Sequence, residues 1–145
     1  MVKKERPVIR YQDHMRNISA ASLRGFFVDW PDPPSPATHL KLLGSSALRV
    51  LAVDAGTGNV VGFVTAITDG VLCAYIPFLE VLPLYQGRGI GKELVDRMMR
   101  KLRKAYMIDL VCDAGLHRFY KKFNMRPSHA MIRRNYPNQS GKKIC

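Results

Sequence analysis

A chain of 145 residues, of which 47% are hydrophobic, is long enough for one domain with its own core and too short for two. We therefore expect a single domain over residues 1–145, with loose ends at residues 1–7 and 137–145. No apolar run reaches the roughly 20 residues that a membrane helix needs, which excludes a helical membrane span and a membrane partner. The formal net charge of +12 at pH 7 favours an anionic partner without identifying it.

The first predicted elements are a short strand and two helices. Residues 8–11, VIRY, have the composition of a strand, and residues 17–30 space their apolar side chains as a helix does. Ser35 followed by Pro36 is a typical helix start, because the hydroxyl caps the first turn and proline suits the first helical position. A short helix is therefore expected to follow and to end at Gly44.

The middle of the chain predicts antiparallel strands. Three β-branched runs at residues 48–54, 60–67 and 71–82 are joined by turns of glycine, asparagine and aspartate, which is the pattern of two hairpins. Pro77 lies inside the third run. Because proline removes a ladder hydrogen bond, it indicates a sheet edge or a bulge at that point.

A longer helix is predicted at residues 90–104. Its apolar face carries residues at helical spacing, Ile90, Leu94, Met98 and Leu102. On the outer face, Glu93 with Arg97 and Asp96 with Arg100 form favourably oriented pairs four residues apart.

The end of the chain predicts a buried strand at residues 106–112, a short helix at 115–124 and a final strand at 128–136. Together these elements make one α+β domain.

The loop between the third strand run and the long helix is rich in glycine and has the form Gln86-x-x-Gly89-x-Gly91. A P-loop would need glycine at position 86, and a dinucleotide-binding fingerprint would need glycine or alanine where Lys92 stands. A bare loop directly before a helix still makes an anion site, because the first free N–H groups and the helix dipole both attract negative charge. The alternative is a plain tight turn.

Residues 79–94, LEVLPLYQGRGIGKEL, resemble the most specific motif of the GNAT superfamily of N-acetyltransferases, and residues 111–125, VCDAGLHRFYKKFNM, are similar to a second motif of that family. The resemblance covers about residues 47–127. It implies an α+β fold with a GNAT-type mixed, mostly antiparallel central sheet flanked by helices. In that fold, parallel strands splay apart and form the acetyl-CoA cleft.

The chain departs from the family pattern at two places. Phe123, Asn124 and Met125 stand where the family usually has Leu-Gly-Phe, and asparagine suits a left-handed helix stop next best after glycine. Asp113 stands where many members have an asparagine near the pantetheine arm, which puts that contact in doubt.

The resemblance implies acetyl-CoA as the acetyl donor. Loop amides would hold its pyrophosphate, and unpaired amides of the bulged strand would bind the pantetheine and the thioester carbonyl, as an oxyanion hole does. Arg88 and Lys92 either add charge there or are solvated surface residues. The implied binding residues are Leu79, Val81, Leu82, Gln86, Gly87, Arg88, Gly89, Ile90, Gly91 and Lys92.

Two residues are candidates for catalysis. Glu80, a lone acid in an apolar strand, would take the proton of the amine directly or through a water, unless its side chain faces solvent. If Glu80 is not the base, Tyr75 or a water chain is the next candidate. Tyr120 matches the family tyrosine that protonates the thiolate, and its alternative role is core packing.

The predicted function is therefore an acetyl-CoA-dependent N-acetyltransferase that acts on a primary amine of a small molecule or peptide by direct attack in a ternary complex. The alternatives are an acyl-CoA-binding sensor or interaction module without turnover, and a nucleic-acid-binding protein, which the charge suggests but no motif favours. We expect a monomer or homodimer. Aromatic residues Phe26, Phe27 and Trp30, with PDPPSP and the end of the chain, are expected to line the acceptor pocket, and the alternative is that these residues belong to the core.

Cysteine and histidine placement favours neither a disulfide framework nor a metal site. Three cysteines, Cys73, Cys112 and Cys145, include no close pair, and the four histidines are scattered. Buried structural thiols are expected. The charged N-terminal residues lack an apolar segment behind them, so the predicted compartment is the cytoplasm.

Overall fold

The computed structural model describes residues 5–144, and a six-stranded sheet forms its centre. The predicted ends at residues 1–4, and the thiol of Cys145, lie outside the described residues. The strands are β1 (Ile9–Gln12), β2 (Leu48–Asp54), β3 (Val60–Thr68), β4 (Cys73–Tyr75), β5 (Leu79–Val81) and β6 (Met107–Asp109). The helices are α1 (Pro36–Ser45), α2 (Ile90–Lys101) and α3 (His117–Lys121).

The sheet is mixed and mostly antiparallel. Its order is β1-β2-β3-β4-β6, with β5 also paired to β3, and only β4 and β6 run parallel. This arrangement, flanked by helices, confirms the predicted fold class.

Alternating strand residues place two cores on opposite faces of the sheet. On one face, Val50 and Ala52 pack with the apolar side of α2. On the other face, Leu51 and Val53 pack with α1 and with the residues before it. The four predicted core residues of α2, Ile90, Leu94, Met98 and Leu102, are all buried.

The charged face of α2 confirms one predicted pair and corrects the other. Arg97 Nε donates to Glu93 at 2.7 Å. Asp96 does not pair with Arg100, because Lys92, one turn before it, lies 2.6 Å away and Arg100 instead approaches Glu93 at 3.7 Å.

The predicted helix over residues 17–30 is wrong. Only a 3₁₀ turn, Ala20–Leu23, forms there, because the backbone turns left-handed at Asn17, Gly25, Phe27 and Asp29 and a helix cannot continue through such residues. The apolar spacing still identifies core residues, since Leu23 is buried. By contrast, α1 begins as predicted, with Ser35 Oγ accepting from Thr38 N at 3.1 Å, and it ends at Ser45, one residue beyond Gly44.

The third strand run is broken at Pro77 into β4 and β5. Val64 faces Leu79 and Ile67 faces Tyr75, so three steps along β3 oppose four steps along its partner. That is a one-residue bulge, as proline inside a sheet predicts. The bond from Ile76 N to Asp109 O at 2.9 Å is the last between the two parallel strands, and β5 then pairs with β3 and not with β6, as the predicted splay requires.

The C-terminal part differs from the prediction in two ways. The strand expected over residues 106–112 is shorter, because only Met107–Asp109 form β6. It is also not buried, since Met107 is 42% exposed. The final strand expected at residues 128–136 is absent from the described chain, where residues 126–138 are exposed. Further on, Asp32 N donates to Gln139 Oε1 at 2.9 Å, so this tail contacts the segment before α1.

Candidate active site

The glycine loop links β5 to α2 and exposes a row of backbone amides. Gly87 and Gly89 both have left-handed φ, of 74° and 79°, which is why glycine is needed there. Gly89 caps α2, and the first helical bond runs from Glu93 N to Gly89 O at 3.1 Å. The N–H groups of the three residues between them, Ile90, Gly91 and Lys92, therefore have no partner within the helix.

Space in front of the loop is open. A Cβ atom added at Gly87 or Gly89 would meet nothing within 4 Å. A Cβ atom at Gly91 would lie 3.8 Å from both Phe119 and Val81, so a longer side chain there would enter the space between α3 and β5. The loop therefore offers main-chain donors with room for an anion.

Two side-chain hydrogen bonds hold the loop in place. Gln86 Nε2 donates to Val81 O at 2.9 Å, and Tyr85 Oη donates to Oδ2 of the buried Asp54 at 2.7 Å. The Tyr85 bond holds the pKa of Asp54 below its usual range and raises the pKa of Tyr85. Asp54 was not predicted from the sequence, because nothing in the local spacing connects residues 31 positions apart.

The two cationic side chains of the loop, Arg88 and Lys92, contact neighbouring side chains. The Arg88 guanidinium lies 5.5 Å from the centre of the Tyr85 ring, and Lys92 is bound to Asp96 along the helix. Both side chains are exposed, so each adds positive potential near the loop without a fixed contact inside it.

The splayed strand offers free amides at alternate residues. Thr65 N donates to Phe78 O and Leu82 N donates to Val61 O at 2.8 Å, which shows that even-numbered residues of β5 bond to β3. The N–H groups of Leu79 and Val81 therefore point away from β3, toward the open side. The predicted free amide at Leu82 is wrong, because Val61 already accepts from it.

Glu80 does not face solvent. Both carboxylate oxygens accept from the backbone N–H of Phe27, at 2.8 and 2.9 Å, and the side chain is half-buried. Burial raises the pKa of Glu80, opposed by hydrogen bonds from the amides of Phe27 and Val28. A carboxylate has about four acceptor positions, so it keeps acceptor capacity for a further donor.

The aromatic part of the predicted acceptor wall is mostly core. Phe26 and Phe27 are 7% and 3% exposed, and they pack around Phe63 and His39. Only Trp30, which is 37% exposed and contacts Phe27 at a ring distance of 5.0 Å, reaches the surface.

Tyr120 is buried against Phe119 and lines a cavity of about 1100 Å³ that also contacts Tyr75, Cys112 and His117. Burial, with a smaller effect of the Cys112 thiol, raises the pKa of Tyr120 to about 12, so the phenol keeps its proton at neutral pH. Among the residues that the structure describes, neither Glu80 nor the glycine loop lines this cavity. Glu80 is therefore not a lining residue of the cavity beside Tyr120.

The structure also tests the predictions about the helix stop at Asn124, the cysteines, a metal site and a membrane span. Asn124 has φ of 59°, which confirms the left-handed stop after α3. Cys73 and Cys112 are half-buried instead of buried. Within residues 5–144 no cluster of three or more histidine, cysteine or acidic side chains could hold a metal ion. No helix in that range is long and apolar enough to cross a membrane.

The chain is similar in sequence to known acetyltransferases. The model of the acetyltransferase (GNAT) family matches residues 15–125. The chain is 37% identical over 81 residues to GCN5-related N-acetyltransferase 3, chloroplastic, of Arabidopsis thaliana, and 29% identical over 98 residues to the uncharacterized N-acetyltransferase ycf52 of Pyropia yezoensis. These matches cover 54% and 66% of this chain, but only 34% and 56% of the relatives, so the chain spans about a third to a half of their length.

Solved structures extend the likeness to nearly the whole chain. A proposed acetyltransferase from Deinococcus radiodurans R1 is 40% identical, with a TM-score of 0.90 over 94% of both chains. The aminoglycoside N-acetyltransferase AAC(6')-Iy in complex with CoA has a TM-score of 0.64 over 98% of this chain and 99% of its own, and at 15% identity it shares the fold alone.

Proposed function

Because the chain belongs to the GNAT family of acetyltransferases, we propose that it transfers the acetyl group of acetyl-CoA to a primary amine of a small molecule or peptide, by direct attack in a ternary complex. The observation that carries this proposal is the glycine loop, whose free amides at the start of α2 adjoin the point where β5 splays from β6. An anionic group and an extended thioester arm suit that combination.

The residues present fit acetyl-CoA. Open space before Gly87 and Gly89 would admit the pyrophosphate, and the amides from Gly87 to Lys92 would donate to it. Gln86 would keep the loop against Val81, and Arg88 and Lys92 would add positive potential. Acetyl-CoA supplies an activated acyl group as a thioester.

Charge on the thioester carbonyl oxygen develops during attack, and the amides of Leu79 and Val81 are the donors proposed to stabilise it. Because the donors belong to a strand fixed by β3, they need no reorganisation as charge appears.

The proton transfers complete the reaction. A C–N bond forms and the C–S bond breaks, while Glu80 takes a proton from the attacking amine, directly or through a water. Tyr120 gives its phenol proton to the thiolate and regains one from solvent. The raised pKa of Glu80 suits its role, because it makes a stronger base, and the raised pKa of Tyr120 keeps the phenol protonated well above neutral pH.

The alternative, an acyl-CoA-binding sensor or interaction module without turnover, is favoured by one observation. Both carboxylate oxygens of Glu80 already accept from the Phe27 amide, so the proposed base is engaged within the fold. A protein of this kind would keep the glycine loop and lose catalysis.

Two measurements separate these functions. Calorimetry with acetyl-CoA tests the loop, and release of free CoA with polyamines, aminoglycosides, amino acids and peptides tests turnover. Binding with amine-dependent CoA release is the expected result. Binding without release for any amine would favour the sensor, and no binding would overturn both readings.

A further inference from the structure

A pocket of about 390 Å³ lies between α2 and the end of β1. β1 pairs with β2 only as far as Gln12, which is opposite Leu51, and the chain then bends away. Val50, the next residue of β2, therefore has no partner from β1, and it lines the pocket together with Tyr11. The volume is within the range of sites that bind small ligands.

This pocket is distant from the glycine loop. Its lining residues on α2 belong to the second half of the helix, and at about 1.5 Å per residue Arg100 lies roughly 14 Å along the axis from Gly91. Among the described residues that line it, none belongs to the loop, to β5 or to α3. A ligand in this pocket would leave free the space proposed for acetyl-CoA.

Cationic side chains dominate the pocket. Four of them line it, Arg97, Arg100, Lys101 and Arg103. The acid among the described lining residues is Asp13, which binds Lys101. Glu93, one turn before Arg97 on α2, binds Arg97 and lies 3.7 Å from Arg100. Even if each acid neutralises one cation, two positive charges remain in excess.

The helix dipole accounts for only part of this cluster. Arg100 and Lys101 occupy the last turn of α2, where cations compensate the negative end of the dipole. Arg97 lies before that turn, and its guanidinium is held by Glu93 Oε1 at 2.7 Å and by the Tyr11 ring, whose centre is 4.7 Å away. A guanidinium that is already fixed in place loses less freedom when it binds a ligand.

We propose that this pocket binds a short phosphate chain, either inorganic or carried by a nucleotide. Each arginine has a planar set of donors that matches two oxygens of a phosphate, so three arginines would contact successive phosphates. A triphosphate carries enough negative charge to balance the excess and to compete with Asp13 for Lys101. The proposal does not depend on the proposed acetyltransferase activity.

Tyr11 indicates that the phosphates, more than a base, carry the recognition. It is the aromatic residue among the described lining residues, and Arg97 already lies over its ring, where a base would otherwise stack. Burial raises the pKa of Tyr11, so its hydroxyl stays protonated and is a further donor for a phosphate oxygen. The ligand would also give part of the net charge of +12 a partner that the glycine loop does not supply.

Calorimetry of the full chain with sodium triphosphate, in about 150 mM NaCl, tests the site. Arg100→Gln combined with Arg103→Gln should weaken binding by at least about tenfold, because charge-assisted contacts are lost. Lys142→Gln combined with Lys143→Gln removes the same charge from exposed residues outside the pocket, and it should change the affinity by less than about twofold. All four side chains are exposed, so neither double variant disturbs the core.

Asp13→Asn is the complementary variant. It removes the acid that competes with the ligand for Lys101, so triphosphate should bind at least about threefold more tightly. Local damage to the end of β1 would not tighten binding, which makes the direction of the change informative. Tm without ligand is measured alongside as the control for folding.

Two further measurements identify the source of the phosphates and exclude the loop. ATP that binds no more tightly than inorganic triphosphate would mean that the phosphate chain alone is recognised, and tighter ATP binding would mean that the ligand is a nucleotide; both results support the site. Gly91→Glu, which blocks the anion site of the loop, should keep the binding of triphosphate in the pocket. Failure of this site is therefore distinguishable from failure of the proposed function.

Four results would overturn the proposal. They are a parent that does not bind triphosphate at this salt concentration, an affinity that the changes at Arg100 and Arg103 leave unaltered or that the changes at Lys142 and Lys143 reduce equally, weaker binding by Asp13→Asn, and loss of all triphosphate binding in Gly91→Glu.

Discussion

The carboxylate of Glu80 and the backbone N–H of Phe27 are joined by a two-oxygen contact at 2.8 and 2.9 Å. This contact ties β5 to a left-handed turn far away in the sequence, where Phe27 has φ of 60°. Glu80 therefore has a structural role whether or not it is also the base, and experiments must separate the two.

Glu80→Gln tests the base. The amide keeps one acceptor oxygen for the Phe27 N–H but cannot take a proton at neutral pH. We expect the rate of acetyl transfer to fall most at neutral pH and least at high pH, where more amine is already deprotonated. The measurement is kcat/KM against pH, with Tm as a control. A loss of equal size at every pH would instead mean that Glu80 only positions the Phe27 turn.

Gly91→Glu tests the phosphate site. A glutamate there would project between Val81 and Phe119 and bring negative charge to the free amides of the loop, so acetyl-CoA binding should fall below detection by calorimetry. Gly44→Glu is the matched control, because Gly44 is an exposed helical glycine with nothing within 4 Å of an added Cβ. If both variants bind acetyl-CoA like the parent, the loop does not hold the phosphates.

Tyr120→Phe removes the proposed proton donor and keeps the ring. We expect kcat to fall by at least about tenfold, with acetyl-CoA affinity and Tm nearly unchanged. Because the pKa of Tyr120 is raised to about 12, the parent should hold its activity through the pH range where an ordinary tyrosine ionises. Equal kcat values for parent and variant, measured where chemistry limits turnover, would leave Tyr120 as a packing residue.

Tyr85→Phe tests the anchor of the loop. The change removes the donor to a buried carboxylate, which should lower the free energy of unfolding by about 1.5–3 kcal/mol. It should also raise KM for acetyl-CoA more than it lowers kcat, because the loop binds and does not react. Denaturant unfolding and initial rates provide the two readings. Tyr11→Phe is a control, since the Tyr11 ring contacts Arg97 away from the loop.

His39 predicts an acid-dependent loss of stability. The ring is buried among Phe26, Phe27 and Phe63, and burial lowers its pKa from 6.5 to about 4. Between these values the unfolded chain binds a proton that the folded one does not, so stability falls as pH drops from 6.5 and the loss reaches about 3 kcal/mol at pH 4. His39→Leu should remove that part of the pH dependence in urea unfolding. Parallel curves for parent and variant would contradict this origin.

Local patterns in the sequence predicted the local parts of the molecule. The apolar face of α2, the Ser35 cap and the bulge at Pro77 each follow from interactions within a few residues, and all three are present. The glycine loop belongs to the same class, because left-handed φ at Gly87 and Gly89 is a property of the residue itself. The family motif adds the function that this loop is proposed to have.

The tertiary structure decided the contacts between residues that are far apart in the sequence, and the elements that depend on such contacts. Glu80 meets Phe27 across 53 residues and Tyr85 meets Asp54 across 31, and no local spacing encodes either contact. The helix predicted over residues 17–30 failed because left-handed turns interrupt it while its apolar residues still enter the core. The strand predicted at 128–136 did not form, because a strand needs a paired edge as well as a favourable sequence, and no strand of residues 5–144 pairs with this segment.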